Sequence, residues 1–102
     1  VSGDWNGALN HLDRVLARQD DIAIILAMKG RALYALGRPQ DAESAFKKAY
    51  NADSDLPGIY FHHAEALLAS GDRDGARERY RTVVKLDPKD VTSRGRLLAL
   101  VS

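Results

Sequence analysis

Two histidines, His62 and His63, stand side by side and are the residues whose type could bind a metal or move a proton. Adjacent helical residues point about 100° apart, so this pair cannot chelate one ion in regular geometry. The third histidine, His11, lies far along the chain, and no His-x3-His or acidic cluster stands at ligand spacing. There is no cysteine, which excludes a disulfide framework and a thiolate zinc site. No Ser-His-Asp arrangement and no glycine-rich phosphate loop is present. Neither enzyme activity, nor a cofactor, nor a metal is expected from these residues. The remaining charged pattern is basic: Arg77, Arg81 and Lys85 are spaced by four, with Arg73 one turn earlier. Such a stripe suits an acidic or phosphate-rich partner, but Asp74 and Glu78 beside it favour a solvated outer face.

The elements that carry these residues are read from periodicity and breakers. Helices are expected at about 4–18, 22–36, 39–53, 57–70, 73–86 and 91–101. Gly37 and Gly71 sit just past helix ends, where a left-handed residue closes the last turn without a Cβ clash. Pro39 and Pro57 suit first helical turns, and Pro88 follows a helix that has ended. No segment alternates apolar and polar residues over a useful length, so no strand is expected. At 102 residues the chain is one domain by length, with 45% apolar and 28% charged residues. The net charge of +1 gives no general argument for nucleic acid or acidic lipid. The charge is uneven: residues 69–102 hold eight Lys/Arg against five acids, whereas residues 35–68 hold three against five. No apolar run approaches the roughly 18 residues of a membrane span, and no signal peptide is visible. Cytoplasm and bacterial periplasm both remain open as compartments.

A fixed period organises the chain. Gly3, Gly37 and Gly71 are separated by 34 residues, as are Ala8, Ala42 and Ala76. Leu12, Phe46 and Tyr80 form a bulky column, and Val15, Ala49 and Val83 a small or branched one. Such a period marks stacked supersecondary units, and it makes binding a more natural role than catalysis. The unit resembles the tetratricopeptide repeat, a helix–turn–helix module of about 34 residues. The resemblance rests on Leu26, Gly30, Leu33, Ala42 and Phe46 in one unit, and on Tyr60, Ala64, Leu67, Ala76, Tyr80 and Pro88 in the next. It implies an all-α, right-handed α-solenoid of six helices, a fragment of a longer array. In that reading residues 1–20 give a second helix, 21–54 and 55–88 full repeats, and 89–102 the first helix of a partial or capping repeat. Lys29 and His63 stand where the family has Leu, and Ser54 where it has Pro, which suggests looser packing within each unit.

The resemblance also implies a concave groove lined by the first helices. Its candidate residues are Met28, Arg31, Tyr34, Phe61, His62, Glu65, Leu68 and Arg96, with Ile24, Ala27 and Ala35 on the same face. An apolar floor with a few placed charges fits a peptide or partner protein. The plainer alternatives are that Tyr34 and Phe61 pack on each other, and that Arg31 pairs with Glu65. One subclass of the family clamps a peptide carboxylate with Lys and Asn on these helices. Residues 22–36 and 57–70 contain no Asn, so that clamp is not expected. At the ends, Trp5, Leu9, Leu12 and Leu16, and again Leu97, Leu98, Leu100 and Val101, are expected to be partly bare for want of a covering helix. Homo-oligomerisation through these end helices is therefore the alternative, as an assembly module of a larger complex such as a secretion or envelope machine.

Overall fold

The computed structural model describes residues 5–10 and 23–101. Within them the chain is helical throughout, with no strand. Residues 5–10 are helical (α1), followed by α2 (Ala23–Ala35), α3 (Pro39–Ala52), α4 (Pro57–Ala69), α5 (Arg73–Leu86) and α6 (Val91–Val101). The later five match the expected helices to within a residue at each end. The expected stretch 11–18 lies outside the described residues, and Leu12, Val15 and Leu16 with it.

The breakers act as their chemistry requires. Pro39 and Pro57 each occupy the first turn of a helix, where a missing N–H costs nothing. Gly37 and Gly71 have φ of 77° and 96°. Each closes the preceding helix with the same pair of hydrogen bonds. Gly37 N donates to Tyr34 O and Arg38 N to Leu33 O; Gly71 N donates to Leu68 O and Asp72 N to Leu67 O. These are Schellman closures, repeated at the 34-residue period. Asp72 then caps α5 through Gly75 N, and Asp90 caps α6 through the backbone and hydroxyl of Ser93.

Helices pair in sequence order, α2 on α3 and α4 on α5; α4 also packs on α2, and α6 on α5. The stripes Leu26/Gly30/Leu33 and Ala64/Leu67 are buried, as are Ala42, Ala45, Phe46 and Ala49 in α3 and Ala76, Tyr80 and Val83 in α5. Gly30 shows why its column is small. A Cβ there would lie 2.7–2.9 Å from the ring of Phe46, which is fully buried.

Two expectations change. Ala27, placed on the open groove face by sequence, is wholly buried in a cluster with Ile59 and Ala66. That cluster is the seam between α2 and α4, so part of the first-helix face belongs to repeat-to-repeat packing. Leu9, expected to be partly bare, is buried against Leu33, Ala42 and Ala45. The His63 ring is 3% exposed and stacks on Phe46 at 4.2 Å and 14°. That stack joins α4 to α3, the second helix of the preceding unit, and the imidazole adds polar contacts.

Candidate functional site

The face common to α2, α4 and α6 carries a row of charges joined across three helices. Glu65 on α4 accepts hydrogen bonds from Arg96 Nε (2.7 Å) and Nη2 (3.2 Å) on α6. It also accepts from the Tyr80 hydroxyl on α5, and Arg31 Nη2 on α2 lies 3.8 Å away. Burial alone would raise the Glu65 carboxyl, but the Arg96 and Tyr80 hydrogen bonds and the Arg96 and Arg31 charges hold it below the usual carboxylate range. Burial raises the Tyr80 phenol, as does the Glu65 charge beside it. Arg31 Nη1 also donates to His62 Nδ1 at 3.3 Å. The anticipated Arg31–Glu65 pair is thus present, with Arg96 as a second and closer partner.

Beside this row lies a cleft of about 240 Å³ lined by Trp5, Arg31, Tyr34 and Glu65 together with the small residues Ala35, Ala66, Ala69 and Ser70. A more open hollow of about 430 Å³ follows it between Leu68, Arg73 and the Gly95/Arg96/Ala99 face of α6. Met28 is 39% exposed on α2. Leu68 is half-buried against the α4–α5 core. Tyr34 and Phe61 do not pair with each other. The Tyr34 ring lies 6.3 Å from Phe46 and its hydroxyl donates to Glu43, while Phe61 meets Tyr80 edge-on at 6.3 Å. Each aromatic is held by the second helix of its own pair, so both are half-buried walls rather than free anchors.

The basic stripe on α5 is largely neutralised locally. Arg77 pairs with Asp74 at 2.8 Å and Arg81 with Glu78 at 2.9 Å, while Lys85 is exposed. Exposed pairs of this kind contribute little to stability, typically under about 1 kcal/mol.

Sequence reasoning missed a polar junction behind the cleft. His63 Nε2 donates to Glu43 Oε2 at 3.0 Å. Its Nδ1 accepts from Arg79 Nε at 3.1 Å and lies 2.8 Å from the Tyr50 hydroxyl. Since Arg79 can only donate, these contacts assign the neutral Nε2–H tautomer. Burial, helped by the Arg79 charge, outweighs Glu43 and Asp72 and lowers the basicity of His63; burial, together with the Arg31 charge, likewise lowers His62. The available signal was a histidine in a column otherwise occupied by apolar residues. The identity of its partners on α3 and α5 required the fold.

Two family models, both described as tetratricopeptide repeat, match residues 33–101 and residues 1–57. No curated protein matches the chain by sequence. Among solved structures, the crystal structure of PcrH from Pseudomonas aeruginosa is similar, with a TM-score of 0.77 at 21% identity, over 99% of this chain and 82% of that one. The crystal structure of PcrH in complex with the chaperone binding region of PopD is similar with a TM-score of 0.67, also at 21% identity, over 97% and 74% of the two chains. At that identity the likeness is one of fold. The match over residues 33–101 alone spans about two thirds of the sequence, and the 34-residue columns, the paired helices and the repeated turn closures agree with it: the chain belongs to the tetratricopeptide repeat family.

Proposed function

We propose that the chain is a protein-interaction scaffold that holds a peptide segment of a partner protein across α2, α4 and α6. The observation that carries this reading is the cleft beside the Arg31–Glu65–Arg96 row. Its lining combines the aromatic rings of Trp5 and Tyr34, small residues that leave room for a side chain, and the hydrogen-bonding groups of Arg31 and Glu65. Met28, Phe61, His62, Leu68 and Arg96 extend the same surface. PcrH, which shares the fold, is a chaperone crystallised with a segment of PopD, and a bound segment of a protein is the kind of ligand proposed here. The array is read as full repeats over 21–54 and 55–88, flanked by partial repeats over 1–20 and 89–102.

The test is selection of peptides from a displayed random library on the wild-type chain beside Ala69→Arg. Ala69 is exposed and lines the cleft. Arginine is a good helix former, so the variant blocks the cleft while sparing the fold. Selected peptides should bind the wild type and lose at least tenfold in affinity for the variant. Equal binding to both would place the site elsewhere.

A second reading is favoured by α6, where Val91 and Leu98 are 76% and 68% exposed. This surface would serve self-assembly. Under that reading light scattering finds dimers or larger species, and Leu98→Lys returns the monomer.

A further inference from the structure

Four helices meet at the Glu43–His63 pair. Glu43 Oε2 accepts from His63 Nε2 and from the Tyr34 hydroxyl, so one carboxylate oxygen ties α4 to α2 from its place on α3. The other imidazole nitrogen is held from α3 by Tyr50 and from α5 by Arg79. The groups facing His63 are therefore Tyr34 on α2, Glu43 and Tyr50 on α3, Arg79 on α5, and the charge of Asp72 in the turn before α5. Tyr34 is the residue that connects this junction to the surface. It packs against all three apolar clusters of the core and walls the cleft.

A neutral imidazole has one lone pair, here on Nδ1. A second proton must enter at Nδ1, where the Arg79 N–H already points. Donor would then face donor and cation would face cation. Tyr50 can turn its hydroxyl to accept instead, but a guanidinium has no acceptor to offer. Arg79 is only half-buried and can leave for solvent. At the same time the imidazolium draws on the Glu43 oxygen that Tyr34 shares.

The geometry points to a proton-operated latch: protonation of His63 expels Arg79 and weakens the Tyr34–Glu43 contact, so that acid reshapes the cleft. The latch rests on the reading of that cleft as the peptide site only for its purpose; its operation is a property of the chain alone. An NMR titration of the free protein, from about pH 8 to about pH 4.5, follows the His63 ring, the Tyr34 ring and Arg79 Nε–H together. The His63 midpoint should fall below 6.5, as its burial requires. The Tyr34 and Arg79 signals should move with the same midpoint while far-UV circular dichroism stays constant. In His63→Leu the Tyr34 signal should no longer titrate in that range; if that variant does not fold, His63→Gln serves the same purpose. A Tyr34 signal that ignores His63 protonation, that still titrates without His63, or that moves only as the helices melt would overturn the latch. Because no ligand is present, the outcome is independent of the peptide selection described above.

Discussion

At the scale of the residue, Glu65 and His63 set the behaviour of the shared face. Glu65 answers Arg96, Arg31 and the buried Tyr80 hydroxyl at once. Glu65→Ala removes the acceptor and strands Tyr80, which should cost about 1–3 kcal/mol, read by urea unfolding. Glu65→Gln keeps an acceptor and should cost less. The histidines give the pH dependence its sign. Burial depresses both His62 and His63 below the ordinary value of 6.5, so the unfolded chain binds protons that the folded chain does not. Stability is then fully present above pH 6.5 and declines as pH falls below it. His63→Leu should flatten that decline. Of these residues, the Arg31–Glu65 pair was legible in sequence because two charges on equivalent faces of neighbouring units must meet. Arg96 as the closer partner and the Glu43–His63–Arg79 junction were not, because each depends on how far α6 and α5 reach around α4.

At the scale of the element, the 34-residue columns predict helix limits, turn closures and the stripe by which each helix meets its pair. They do not reveal the seam between repeats. Ala27, Ile59 and Ala66 fall between the columns, and only the stacking of α4 on α2 buries them. Two helical glycines separate packing from propensity. A Cβ on Gly30 would lie less than 3 Å from the Phe46 ring, whereas one on Gly95 would meet no other part of the fold within 4 Å. Gly30→Ala should therefore overpack a fully buried contact and lower stability by about 1–2 kcal/mol net, even after the better helix propensity of alanine. Gly95→Ala should raise stability by roughly 0.5–1 kcal/mol. Thermal unfolding of the two variants checks both signs. Ala42→Leu belongs with Gly30: Ala42 is wholly buried beside Leu9 and Leu33, and a neutral result there would contradict the pairing of α2 with α3.

At the scale of the whole molecule, the described residues form a stack with extents of 40 × 26 × 24 Å, in which α2, α4 and α6 present one shared face. Neighbour-only packing means that damage in one unit reaches the next through a few contacts. Here those contacts include the Glu65 row and the His63 junction, so Glu65→Ala should lower the cooperativity of unfolding as well as its midpoint. The measurement that bears most directly on the account is an amide chemical-shift map of the isotope-labelled chain as a selected peptide is added. The account predicts that the shifting residues fall on the α2, α4 and α6 face around Arg31, Tyr34, Ala69 and Arg96. Shifts confined to the Arg77/Arg81/Lys85 face of α5, or to Val91 and Leu98 alone, would contradict it.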